Sequence, residues 1–369
     1  MSKLFIISSV ILGKRGSIGE RFEHIILNLQ KSKNFDEVHV VGKNNFSDMN
    51  FIFTSLPSYF ILIAALKRIE KRFGINFYAR RFELNLFARW AYRFCNKHVS
   101  SSDLILSQEL IPFEEFNVYY DVSILPECLV EEFICVEKRV KCGQTVNFIR
   151  LASFLKNAKG VFVPSSYIVQ RMNSFRSSGK LFLVPFAGMK YELKLLDENN
   201  GKNIYFFGDL SRRKGIDNLF ELAQILESSG WTIHLYGRPS RLYHTLKRTS
   251  VSNNILCYGH KALELESFSR GYYVFPSYLE GSSKSLYDAL NIGFPILTSP
   301  MSGLPNEALG EYCFEVNTFD MSVWASLLLE LHDNGRHLDS EKIRELGSNF
   351  TWSRYGSSVV EVLEDDIDY

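Results

Sequence analysis

The sequence lacks a long apolar run. No stretch of its 369 residues approaches the eighteen or so apolar positions that a membrane-crossing helix needs, which argues against a helical integral membrane protein. It also lacks paired cysteines. The six cysteines stand at 95, 128, 135, 142, 257 and 313, with no C-x-x-C and no accompanying histidine cluster. A zinc site and a disulfide framework are therefore both unexpected, and the cysteines read as reduced thiols of a cytosolic protein. Net charge is nearly absent, at +1 from 42 basic and 41 acidic residues, whereas a nucleic-acid binder is usually more basic. There is no internal repeat, no low-complexity tract and no G-x-G-x-x-G fingerprint. The opening MSKLFIISSVILGKRG has a basic residue and an apolar run but no small-residue cleavage site after them, so it reads as a first β-strand. With 46% hydrophobic and 22% charged residues, the composition is that of a globular chain long enough for two cores.

The most informative stretch is Tyr273 to Pro300, which reads as strand, loop, helix, strand. Tyr273 to Phe275 is a short apolar run stopped by Pro276 and Ser277. Glu280, Gly281, Ser282 and Ser283 make a polar loop. Ser285 to Ile292 follows as a helix with Leu286, Ala289 and Leu290 on one face, Gly293 suits its C-terminal end, and Pro295 to Thr298 starts another strand. A helix N-terminus carries unpaired N–H groups and partial positive charge, so it receives phosphate; Lys284 adds a full charge there. Glu280 before the helix and Asp288 within it are spaced to suit a sugar at one end of a diphosphate and a ribose at the other. The plainer alternative is a crossover with solvated carboxylates.

A second cationic turn lies upstream. Asn203 to Phe207 reads as a strand, then Gly208-Asp209-Leu210-Ser211-Arg212-Arg213-Lys214-Gly215, then a helix from Ile216 to Leu226. Three consecutive cations before a helix suit either solvent or a diphosphate clamp. Further strands are expected at Thr232 to Tyr236 and Asn254 to Tyr258.

The first half opens as strand (Lys3 to Leu12), glycine turn (Gly13 to Gly19), helix (Glu20 to Leu29, with Phe22, Ile25, Ile26 and Leu29 in register) and strand (Val38 to Val41). That order begins a doubly wound sheet. Strands are also expected at Asp103 to Leu106, Asn117 to Val122, Gly160 to Val163 and Leu181 to Val184. Residues 59–93 interleave Lys67, Arg68, Lys71, Arg72, Arg80, Arg81, Arg89 and Arg93 with Phe73, Phe77, Tyr78, Phe82, Phe87 and Trp90. This is either a surface for anionic lipid, giving a peripheral membrane contact, or an aromatic core face backed by solvated cations.

PSYLEGSSKSLYDAL resembles the signature of the family 4 retaining glycosyltransferases of GT-B fold, with two acidic residues separated by seven others. Lys214-Gly215 resembles the same family's phosphate block, although Asp209 stands where that family usually has Arg. The resemblance implies an α/β GT-B architecture: two Rossmann-like doubly wound domains, an interdomain cleft, and a C-terminal helix crossing back to the first domain. The expected boundaries are 1–196 on the acceptor side, 203–350 for the nucleotide sugar, and 351–369 for the crossing helix, with DENNGK (Asp197 to Lys202) as the linker.

The resemblance also implies site residues. Glu280 and Lys214 form the catalytic group; many of the family carry a His at the strand end where this chain has Tyr120 and Asp121, and Asp121 reads either as the acceptor base of that group or as a capping carboxylate. Gly16, Gly19, Gly208, Arg212, Arg213, Tyr236, Gly281, Ser282, Ser283, Lys284, Ser285 and Asp288 line the donor, with Gly237, Arg238 and Tyr258 at the base. Asn306-Glu307 resembles the loop beside the donor sugar. Implied too are a nucleotide diphosphate sugar donor, no cofactor, no metal, and retention at the anomeric carbon. The acceptor would be a glycan or lipid-linked glycan of bacterial surface polysaccharide synthesis, met in the cytoplasm or at the inner face of the membrane. Two alternatives stay open at this point: a sugar-nucleotide epimerase on the same fold, and an inactive subunit that binds a nucleotide sugar.

Overall fold

The computed structural model describes residues 3–8, 17–32, 34–42, 52–55, 79–107, 115–121, 134–135, 140–141, 158–173, 180–191, 195–196, 201–250, 252–263, 266–336 and 339–366. In chain order the first half contains β1 (Lys3–Ser8), α1 (Ser17–Leu29), β2 (Glu37–Gly42), β3 (Ile52–Ser55), α2 (Ala79–His98), β4 (Leu104–Ser107) and β5 (Asn117–Asp121). It continues through the short pair β6 (Ile134–Cys135) and β7 (Val140–Lys141), then β8 (Gly160–Val163), α3 (Ser166–Asn173) and β9 (Lys180–Leu183). Seven of these strands form one sheet in the order β3-β2-β1-β4-β5-β8-β9, every described pairing parallel.

Continuous apolar strands suit such a sheet because helices cover both its faces. Leu4, Ile6, Leu104 and Leu106 meet Phe22, Ile25, Ile26 and Leu29 of α1 on one side. Phe5, Ile7 and Ile105 meet Phe87, Ala91 and Cys95 of α2 on the other. Among the described side chains of the basic aromatic stretch, the aromatics therefore serve the core. Phe87 is buried and Trp90 packs against the same cluster, while Arg89 and Arg93 are exposed. Residues 59–78, and the side chains of 79–86, lie outside the described ones. Among the described residues no helix is long and apolar enough to cross a membrane.

The start of α1 moves, and the end of the expected first strand lies outside the described residues. α1 starts at Ser17, so Gly19 lies in its first turn and not in the preceding loop. β1 is described to Ser8, and the glycine turn from Gly13 to Gly16 lies outside the described residues.

The second half contains β10 (Asn203–Phe207), α4 (Ile216–Leu226), β11 (Thr232–Tyr236), α5 (Arg241–Thr249), β12 (Ile255–Gly259), β13 (Tyr272–Phe275), α6 (Lys284–Ile292), β14 (Ile296–Thr298) and β15 (Cys313–Glu315). Helices α7 (Met321–Asp333), α8 (Ser340–Ser348) and α9 (Trp352–Glu364) follow. The sheet order is β12-β11-β10-β13-β14-β15, again all parallel. The chain enters at β10, winds outward through β11 and β12, and resumes on the opposite flank of β10 at β13. The carboxyl ends of β10 and β13 therefore flank a topological switch point, where open α/β sheets bind ligands.

The C-terminal helix returns to the first domain. Gly356 of α9 lets the two helices touch: a Cβ there would stand 2.5 Å from the His24 carbonyl oxygen of α1. Asn28 of α1 donates to the Ser353 carbonyl at 3.3 Å and accepts from Ser357 Oγ at 3.0 Å. Tyr119 Oη donates to Asp366 at 2.6 Å. Burial pushes the Cys95 and Cys313 thiols up to about 12, which keeps both protonated and unreactive.

Candidate active site

The loop after β10 and the loop after β13 meet. Gly215 is the hinge of the meeting. Its φ is +74°, and a Cβ would lie 2.0 Å from the Pro276 carbonyl oxygen, so only glycine lets α4 begin against the end of β13. That packing presents Arg213 and Lys214 to the loop before α6. Arg213 donates to the Leu279 carbonyl at 3.1 Å and to Glu280 Oε1. Lys214 Nζ lies 3.1 Å from the same carboxylate oxygen and donates to Ser283 Oγ at 3.2 Å. The Phe275 ring lies 5.0 Å from Nζ.

Lys214 and the start of α6 thus face one another, and Glu280, 7% exposed, bridges two cations. Arg212 is exposed, and its charge bears on Asp217. Of the two arginines, Arg213 is the one beside Lys214. Gly208 turns the chain at φ +133°, a conformation that favours glycine, and a Cβ there would meet the Lys214 stem at an ordinary contact distance of 3.5 Å.

The Glu280–Ser283 loop is held from three directions. Its Glu280 N–H donates to the Met301 carbonyl at 2.9 Å. Gly303, at φ +73°, approaches so closely that a Cβ would sit 2.1 Å from the Gly281 carbonyl oxygen. From the first domain, buried Ser165 Oγ donates to that same carbonyl at 2.7 Å. Ser282 Oγ and Tyr287 Oη lie 3.2 Å apart. Sequence reasoning missed Ser165. The Ser-Ser before α3 signals a helix cap, and its hydroxyl does bond the Ile168 N–H at 3.3 Å, but its partner in the other domain leaves no local mark.

Asp288 is drawn into the domain junction. Its Oδ1 accepts from the Met189 N–H at 2.9 Å and from Lys284 Nζ at 3.1 Å, an i,i+4 pair. Gly188 presses on the same turn of α6, where a Cβ would stand 2.5 Å from the Tyr287 carbonyl carbon. At the neighbouring strand ends, Tyr236 stacks on Tyr258 with ring centroids 4.6 Å apart. Gly237 touches Gly208: a Cβ would fall 1.6 Å from the Gly208 carbonyl oxygen. Arg238 is exposed.

Other candidates stand elsewhere. Asp121 is 1% exposed, in an ion pair with Arg21 at 2.9 Å, and accepts from Tyr355 Oη at 3.0 Å. Burial raises its carboxyl above the usual carboxylate range against the pull of Arg21. A carboxylate closed off between β5, α1 and α9 is out of reach of an acceptor hydroxyl, so here it ties the C-terminal helix to the first domain. Glu307 lines a cleft of about 500 Å³ with Pro185, Thr351 and Arg354, and neither Lys214 nor Glu280 lines it. Gly16 lies outside the described residues.

Residues 192–340 match the family model described as Glycosyl transferases group 1. No curated relative matches the sequence. Among solved structures, WaaG, a glycosyltransferase involved in lipopolysaccharide biosynthesis, superposes with a TM-score of 0.65 at 14% identity, over 98% of this chain and 99% of that one. Sucrose-phosphate synthase from Thermosynechococcus elongatus gives 0.66 at 16% identity, over 99% of each chain. Anabaena HepE in complex with UDP gives 0.63 at 14% identity, over 99% of this chain and 100% of that one. Residues 192–340 are thus similar to glycosyl transferases group 1, in a chain that has the two-domain GT-B fold of those structures.

Proposed function

We propose that this chain is a retaining glycosyltransferase that moves a hexose-type sugar from a nucleotide diphosphate sugar to a glycan or lipid-linked glycan acceptor in bacterial surface polysaccharide synthesis. One observation carries the reading: Lys214 and the N-terminus of α6 share Ser283, with Arg213 alongside, at the carboxyl end of β10 and β13. The donor's C1–O bond breaks towards the diphosphate, and the acceptor oxygen takes the sugar as its proton passes to the departing phosphate oxygen. Charge collects on the departing phosphate. Lys214, Arg213 and the N-terminal turn of α6, with its partial positive charge, are arranged to receive it. Glu280 then exchanges a cation for sugar hydroxyls and fixes the donor's pose. Asp288, neutralised by Lys284, takes the ribose end. No metal is assigned a part.

The UDP complex of HepE and the lipopolysaccharide role of WaaG support the donor class and the pathway. A lipid-linked acceptor would bring the protein to the cytosolic face of the membrane. Purified protein incubated with UDP- or GDP-sugars and a lipid-linked glycan should release nucleoside diphosphate, with or without EDTA. Glu280→Ala and Lys214→Ala should each lower the rate at least about 100-fold, as loss of a transition-state charge partner does. Accumulation of an epimerised sugar nucleotide without acceptor would point to the epimerase instead. Binding without any turnover would point to the inactive subunit.

A further inference from the structure

Beneath the clamp runs a chain of hydroxyl groups that no motif announces. Tyr273 of β13 is fully buried. Its Oη lies 2.8 Å from Ser285 Oγ and 3.3 Å from the Phe207 carbonyl oxygen. Ser285 Oγ lies 2.8 Å from Ser283 Oγ, which accepts from Lys214 Nζ at 3.2 Å.

Counting protons gives two orders for this chain. In one, Tyr273 donates to the Phe207 carbonyl, Ser285 to Tyr273 and Ser283 to Ser285; every hydroxyl proton is then engaged. In the other, Tyr273 turns its proton to Ser285 at the shorter distance, and one serine proton is released. Ser285 is the partly exposed serine of the two, in the first turn of α6 where an anion would sit. We infer that Tyr273 is a positioning residue. Through Ser285 and Ser283 it sets Lys214, and by reversing its own hydroxyl it frees a serine proton for a bound diphosphate. The inference rests on the nucleotide-diphosphate reading above and adds to it how the phosphate nearest Lys214 is recognised.

Calorimetric titration with UDP, GDP and their monophosphates tests it. Tyr273→Phe keeps the ring and removes the hydroxyl, so diphosphate binding should weaken about tenfold, the worth of one charge-assisted hydrogen bond, while monophosphate binding stays unchanged. Ser285→Ala should give the same selective loss, and the double variant no further loss, because the two act through one chain. Should Tyr273→Phe fail to fold, the selectivity of Ser285→Ala decides alone. Equal weakening of mono- and diphosphate, unchanged diphosphate binding, or additive losses would each overturn the relay while leaving the donor site standing. A wild-type protein that binds no nucleotide would overturn the donor site itself.

Discussion

Asp121 shows how one carboxylate at a strand end carries different consequences as a base and as a tie. In a tie the partner is what suffers. Asp121→Asn would leave the Arg21 guanidinium charged and uncompensated, with Phe186 5.2 Å away as its aromatic neighbour. Removing one member of a buried ion pair costs about 3–5 kcal/mol, so denaturant unfolding should show a loss of that order. A catalytic base alone would lose turnover and keep its stability. Gly215 makes a second residue-scale case. Gly215→Ala forces a Cβ into the Pro276 carbonyl at a positive φ, at an expected cost of about 2 kcal/mol or more, and calorimetry should show diphosphate binding weakened along with it.

Among the elements, α6 was almost fully legible before its surroundings were known. Leu286, Ala289 and Leu290 announce its buried face. Gly293 closes it at φ +103°, with its N–H donating to the carbonyls of Ala289 and Leu290. The loops on either side are legible as chemistry because local signals mark them: cations before α4, and a carboxylate and serines before α6. Contacts distant in sequence left no such mark. Ser165 reaching Gly281, Met189 reaching Asp288 and Arg21 reaching Asp121 are separated by 99 residues or more. Period and turn chemistry do not report across that distance.

The strand next to the edge of the second sheet yields a pH prediction. His234 of β11 lies 3.0 Å from both Tyr258 Oη and Asn203 Oδ1, and burial holds its imidazole down to about 4. The unfolded chain therefore takes up this proton first as pH falls. Stability contributed here is full above about 6.5, declines from there to about 4, and levels off below. Thermal unfolding of the wild type should show that decline, and His234→Gln should flatten it.

At the scale of the molecule, the two halves are joined by α9 lying along α1 and by Gly188 and Met189 against α6; of the expected linker, Asp197 to Lys202, residues 197–200 lie outside the described ones. A Cβ at Gly356 would already stand 2.5 Å from the His24 carbonyl oxygen, so Gly356→Leu should push α9 off α1. Small-angle scattering should then record a larger radius of gyration, and calorimetry should resolve two transitions in place of one. Catalysis should fall with it, because Ser165 would no longer reach the Gly281 carbonyl.

The strap formed by α1 and α9 also has a meaning in time. Its two halves leave the ribosome far apart in synthesis, residues 17–29 well before 352–364. At about 10 residues per second, roughly half a minute passes before the outer face of α1 meets its cover. Over that interval the nascent first domain displays an uncovered helix surface, which is where a chaperone would be expected to take hold.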